Sequence, residues 1–168
     1  KLSTEVRAPL HRGDLVLIDG EVVYRENPNG AWSFWLPLKA DDDGKIRPPQ
    51  TLTYVGGCDI SAGQAMSNST CSVKCVEHGA KVAECATGEL MPEEYARHID
   101  AAGRWFGGGN AGCMFLVWEA NGPGGIFGKM LVHRLGYPWY FRQLSDNKVS
   151  MKTDVRYGWH SSRQAKED

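Results

Sequence analysis

The chain has 168 residues, of which 42% are hydrophobic and 23% charged, and its formal net charge is −1. This length suits one globular domain with a substantial core. No apolar run approaches the length of a membrane span, and from the charged, proline-containing start we expect no secretory signal peptide.

The first part of the chain predicts β-structure. Residues 14–25 carry two apolar runs around an Asp-Gly pair, which is a strong signal for a hairpin. Residues 31–36 predict a further strand. We therefore expect residues 1–50 to form a β-rich lead-in packed on the core and residues 51–168 to form the main domain.

The central element is residues 51–59, a predicted strand of β-branched and aromatic residues that ends on a carboxylate. Gly56 and Gly57 remove side chains where another backbone or a ligand must approach closely. The small-residue turn that follows would leave Asp59 at the edge of a cleft.

Two further strands and a helix follow. Residues 70–77 and 81–86 are joined by a short turn and predict an antiparallel meander that begins at the central strand. Pro92 and two glutamates open a helix whose apolar side chains recur every three or four residues up to Phe106. This periodicity predicts a helix with one face in the core.

A buried strand is predicted next. Residues 113–118 are apolar, and Glu119 stands at the end of the run. Because the preceding helix permits a parallel crossover, this strand can lie beside the central strand. That pairing would bring Glu119 next to Asp59.

Two carboxylates at neighbouring strand ends predict a divalent-metal site. Oxygen ligands on rigid strands suit Mg²⁺ or Mn²⁺. The alternative is structural, since an acid at a strand end followed by small residues often closes a turn or caps a helix. Spacing alone leaves both interpretations of Asp59 and Glu119 open.

The last third of the chain is basic. After a predicted helix over residues 124–135 and a short strand at 139–141, the sequence is polar. Residues 129–166 contain eight Lys or Arg against two acids, which suits phosphodiester chemistry beside acidic strand ends and suits a solvated face equally well. Four residues are candidates for phosphate contacts: Lys148, Lys152, Arg156 and Arg163.

The five cysteines follow no disulfide-framework spacing; they are Cys58, Cys71, Cys75, Cys85 and Cys113. An odd number of cysteines in apolar or alternating segments predicts reduced, packed thiols and a cytoplasmic setting. No Cys-x-x-Cys pair occurs, so a zinc site is not predicted.

Several segments together carry a family resemblance. They are Asp59 with its small-residue turn, Asn68-Ser69-Thr70 at the second strand, the Pro92-Glu-Glu-Tyr-Ala96 helix start, Trp118-Glu-Ala-Asn-Gly-Pro-Gly124, and Tyr157-Gly-Trp-His-Ser-Ser162 followed by Lys166. These segments resemble the C-terminal nuclease domain of the large terminase subunit of tailed bacteriophages. The piece around Glu119 is the most specific part.

The resemblance implies an α/β, ribonuclease H-like fold, with three antiparallel strands followed by parallel strands and crossover helices. It implies that Asp59 and Glu119 bind two Mg²⁺ or Mn²⁺ ions in an endonuclease that cuts concatemeric viral DNA during genome packaging. A third acid is expected on a later helix. Asp154 and Asp168 do not match that position, so we expect a domain truncated at its C-terminal end.

The same resemblance implies partners and a location. The partners would be double-stranded DNA, the terminase ATPase domain, the small terminase subunit and the portal protein, without a membrane, in the cytoplasm of a bacterial host. Two other functions stay open. One is a non-catalytic DNA-gripping or docking module of the same fold, and the other is a Holliday-junction resolvase-like nuclease.

Overall fold

The computed structural model describes residues 7–63, 67–147 and 152–161. In chain order its elements are β1 His11–Ile18, β2 Glu21–Glu26, β3 Trp32–Phe34, β4 Lys39–Ala40, β5 Ile46–Arg47, β6 Tyr54–Asp59, β7 Ser69–Cys75, β8 Ala80–Thr87, α1 Pro92–Phe106, β9 Phe115–Trp118, α2 Pro123–Lys129, a π-helical turn Met130–Arg134, β10 Arg142–Asn147 and β11 Lys152–Tyr157. Seven strands form one sheet in the order β2-β1-β3-β8-β7-β6-β9. The pairs β4–β5 and β10–β11 form two small separate sheets.

The N-terminal strands continue the central sheet. β1 and β2 pair antiparallel around a turn at Asp19 and Gly20, whose φ angles of 50° and 80° are those of a tight hairpin turn. β3 then joins β1 to β8. The predicted hairpin and the strand after it are thus confirmed, whereas the division of the chain at residue 50 stays a prediction.

The core of the sheet has the predicted strand order. β6, β7 and β8 form an antiparallel meander, and β9 lies parallel to β6 after the α1 crossover. This arrangement confirms the mixed α/β fold. The predicted strand at residues 139–141 is wrong, because only one parallel bridge, Leu116 to Tyr140, forms there.

Helix α1 covers one face of the sheet. Its side chains Tyr95, Ile99, Ala102 and Phe106 are fully buried, as the periodicity predicts. At its start, the Met91 amide donates to the Glu94 carboxylate at 3.1 Å, which satisfies one of the free N–H groups of the first turn. No helix within the described residues is long and apolar enough to cross a membrane.

The hairpin β10–β11 was not predicted. The sequence of these strands is polar and lacks the alternation of apolar residues by which strands are recognised.

The cysteines, in contrast, are confirmed as buried, free thiols. Three of them, Cys58, Cys71 and Cys85, stand side by side on β6, β7 and β8.

His98 ties α1 to the sheet. Its Nε2 accepts a hydrogen bond of 2.8 Å from the indole N–H of Trp32 on β3. The Cys85 thiol on β8 lies 3.8 Å from the same nitrogen. Burial lowers the pKa of His98, so the neutral ring is the form that the fold favours.

Acidification should therefore destabilise the fold through His98. Because its pKa is lowered on folding, the unfolded chain binds the proton more readily, and stability falls as the pH drops below the unfolded value of about 6.5. A protonated Nε2 also cannot accept from Trp32. Denaturant unfolding at pH 7.5 and pH 5 should show a smaller stability loss in His98→Gln than in the wild type, and equal losses would contradict this assignment.

Candidate functional site

The pairing of β6 with β9 brings the two predicted acids together. The last paired residues of the two strands are Cys58 and Trp118, both buried in the core. Because side chains alternate along a strand, the next residues, Asp59 and Glu119, face the opposite side of the sheet. Both line one open cavity of about 400 Å³.

Two adjacent glycines on β6 have different roles, and only Gly57 lines this cavity. A Cβ at Gly56 would lie 2.9 Å from Met114, so this position serves close packing. A Cβ at Gly57 would meet nothing within 4 Å, and Gly57 lines the cavity beside Asp59. Gly57 thus keeps the cavity wide at the level of the acids.

Hydrogen bonds hold the carboxylate of Glu119 in place. Its Oε1 accepts from the Asn121 amide at 3.1 Å and from the Ser161 hydroxyl. The Asn121 amide also donates to Ser161 Oγ at 2.8 Å and to the Ser161 carbonyl at 3.2 Å. Ser161 was not singled out from the sequence, although it belongs to the segment that carries part of the resemblance.

Asp59 has a different environment. Its side chain is exposed, and within the described residues its carboxylate has no hydrogen bond or ion pair. The turn behind it is fixed instead: the Ser61 amide donates to Ser69 Oγ at 3.0 Å, and the two hydroxyls lie 3.2 Å apart. The carboxylate oxygens of Asp59 can therefore bind a ligand, and the backbone that carries them is held in place by the turn.

The segment from Gly158 to Ser161 extends the sheet beyond β9. The Trp159 amide donates to the Trp118 carbonyl and the Ala120 amide to the Trp159 carbonyl, both at 2.7 Å. This parallel bridge places Trp159 beside Glu119. Trp159 is 43% exposed and forms part of the cavity wall.

The other predicted residues are less completely placed. Arg156 is exposed near the end of β11. Lys152 and Asp154 lie on β11, but their side chains are outside the description. Lys148, Arg163 and Asp168 lie outside the described residues altogether.

Asp59 and Glu119 are consequently the carboxylate donors at this cavity. No group of three or more His, Cys, Asp or Glu within residues 7–63, 67–147 and 152–161 could hold a metal ion. Two carboxylates on adjacent strands fit a hard cation such as Mg²⁺, which keeps several waters and is often bound by one or two carboxylates together with substrate phosphate. The donor chemistry therefore fits, with most coordination positions left to water and substrate.

Comparison with known proteins gives structural matches alone. No protein-family model and no curated protein matches the chain. The large terminase nuclease from thermophilic phage G20c with bound magnesium is similar with a TM-score of 0.50 and 16% identity, over 76% of this chain and 54% of that one. The structure of the same nuclease with bound cobalt has a TM-score of 0.49 and 15% identity, and the match covers the same fractions of the two chains.

The chain spans about half the length of the nuclease chains that it matches. At 16% identity, the similarity shows the fold, which is the one that the sequence resemblance implied.

Gly124, the second residue of α2, should be essential to the position of Glu119. A Cβ at Gly124 would lie 1.8 Å from the Glu119 carbonyl oxygen, whereas a Cβ at Gly125 would lie 3.1 Å from the Ala120 carbonyl. We expect Gly124→Ala to lower the free energy of unfolding by about 1–3 kcal/mol, because backbone must move, and Gly125→Ala to cost less. Thermal unfolding and the Glu119 amide signal in a nitrogen-15 correlation spectrum measure this, and equal effects of the two substitutions would contradict it.

Proposed function

We propose that this chain is a divalent-metal-dependent DNA endonuclease domain of the terminase type, which cuts concatemeric viral DNA during genome packaging. The observation that carries the proposal is that Asp59 and Glu119, on adjacent parallel strands, line one open cavity. The similarity of the fold to a terminase nuclease supports it.

The two carboxylates would hold Mg²⁺ or Mn²⁺ through their oxygens. When bound, a pair of such ions lowers the pKa of an attacking water and neutralises the charge that develops on the phosphodiester. The nuclease of similar fold was solved with bound magnesium, which supports this choice of cation. DNA phosphate oxygens would complete a site that two carboxylates alone bind weakly.

The chain's own residues would orient and admit the substrate. Asn121 and Ser161 fix the direction of the Glu119 carboxylate, so that the ligand geometry does not depend on a mobile side chain. Gly57 leaves room for a phosphodiester at the acids. Trp159 forms part of the cavity wall, against which the DNA strand would lie.

Contacts with the DNA backbone would come from the basic C-terminal third. We assign Lys148, Lys152, Arg156 and Arg163 to phosphate contacts, in keeping with eight basic residues against two acids in residues 129–166. The expected partners are the terminase ATPase domain, the small subunit and the portal protein. The expected location is the cytoplasm of a bacterial host.

One observation favours a second function. The described residues contain no cluster of three metal-binding side chains, which suits a module of the same fold that grips DNA without cutting it. The two functions differ in one property, because cutting needs the carboxylates of Asp59 and Glu119 and gripping does not.

Plasmid nicking in Mn²⁺ should depend on both acids. We expect Asp59→Asn and Glu119→Gln to reduce nicking to the background, since each removes a charged ligand of the cation. Ser161→Ala should slow nicking about tenfold, as loss of a group that orients a ligand does. Asp43→Asn, in the exposed turn between β4 and β5, is the matched control and should cut like the wild type. Absence of nicking by the folded wild type in both Mg²⁺ and Mn²⁺ would favour the non-catalytic module.

Duplex binding should be insensitive to sequence and sensitive to salt. Each phosphate contact adds about 0.9 to the slope of log affinity against log salt, so Lys148→Gln with Lys152→Gln should flatten the slope by up to about two. The control is Arg25→Gln with Lys74→Gln, two exposed basic residues far from the basic third in sequence. Fluorescence anisotropy of a labelled duplex in EDTA gives the slopes, and an unchanged slope would remove these lysines from the DNA interface.

A further inference from the structure

A second cavity lies on the other side of Trp118 from the acids. Its volume is about 320 Å³, and it is formed by α2, the end of β11 and the segment after it. Its charged or titratable lining side chains are Lys129, Arg156, Tyr157 and His160, and no Asp or Glu lines it. We call this cavity the basic pocket.

The alternation of side chains explains why the basic pocket and the acids lie on opposite sides. Trp159 and Ser161 face Glu119 and its cavity. The residues between and before them, His160 and Gly158, face Trp118 and α2. A single extended segment thus supplies both sites, one from each face.

The walls of the basic pocket are held by contacts that need no ligand. A Cβ at Gly128 or Gly158 would lie 3.0 or 2.8 Å from the indole nitrogen of Trp118, so the ring is packed between the two glycines. His133 Nε2 and the Tyr157 hydroxyl are 2.5 Å apart, which joins the π-helical turn to β11. These close contacts hold the elements that line the basic pocket in place.

Among the described side chains, none neutralises the positive charge in the basic pocket through an ion pair. Within the described residues, the ion pairs involve other side chains than Lys129 and Arg156. Glu93 lines an adjoining groove with Lys129, but no ion pair joins them. Two cations around one cavity repel each other, and an anion between them would offset this repulsion by attracting both.

We propose that the basic pocket binds a phosphate group, either a phosphodiester of DNA or the phosphate of a free mononucleotide. An Arg guanidinium binds two phosphate oxygens at once, and a Lys ammonium adds a point charge. The volume of the cavity exceeds that of a phosphate and leaves room for an attached sugar. This binding requires neither Asp59, Glu119 nor a metal, so it goes beyond the proposed cutting reaction.

Binding to the metal-free protein in EDTA tests the proposal. Inorganic phosphate and thymidine 5′-monophosphate are titrated into nitrogen-15-labelled protein, and a labelled duplex is titrated by anisotropy. The test variant is Lys129→Gln with Arg156→Gln, and the control is again Arg25→Gln with Lys74→Gln, which removes the same charge elsewhere. All four positions are exposed, so the fold should be retained, and circular dichroism checks this.

We expect the phosphate ligands to shift the amide signals of Lys129, Arg156 and His160. The test variant should weaken their binding about tenfold or more, the effect of losing hydrogen bonds to a charged group, and the control should not. If duplex binding weakens in parallel, the ligand is DNA phosphate; if duplex binding is unchanged, the ligand is a free phosphate compound. Equal phosphate binding by the test and control variants would overturn the proposal.

The result is independent of the proposed nuclease activity. If the wild type fails to nick DNA in Mn²⁺ but the test variant loses phosphate binding, the basic pocket is supported and the cutting function is contradicted. If the wild type nicks DNA but the test and control variants bind phosphate equally, the cutting function is supported and the basic pocket is contradicted.

Discussion

The parallel pairing of β6 with β9 is the constraint on which the rest of the site depends. Its register places Cys58 opposite Trp118 in the core, and the next residue of each strand is an acid on the opposite face. A shift by one residue on either strand would send a carboxylate into the core, where an unpaired charge is costly. The helical crossover by α1 makes this parallel register possible, and the burial of Trp118 fixes it.

The second constraint is the docking of residues 158–161 against the end of β9. Two backbone hydrogen bonds of 2.7 Å hold Trp159 there, and Gly158 fits closely against Trp118. The segment therefore gives Ser161 to the Glu119 carboxylate and His160 to the basic pocket. The acids and the cations line separate cavities on either side of Trp118. A metal and a phosphate group bound there would be neighbours, but the protein side chains that bind them would not touch.

The sequence by itself determined the elements that have a strong local signal. The Asp-Gly turn specified the first hairpin, and the three-to-four-residue period specified α1. The order of meander, helix and apolar strand restricted the topology enough to predict that β9 pairs with β6. Asp59 and Glu119 could thus be singled out, because a strand end followed by small residues is visible in the sequence; their role as metal ligands stays a proposal.

Only the tertiary structure decided the features that depend on long-range contacts between polar residues. The strands of β10–β11 lack apolar alternation, so nothing in their sequence indicated a hairpin. Ser161 reaches Glu119 across 42 positions, and the basic pocket joins Lys129 to Arg156 and His160 from separate elements. Such polar partners leave no periodic signal, because hydrogen bonds and charges act between side chains that the fold brings together, whereas burial imposes its pattern on neighbours along the chain.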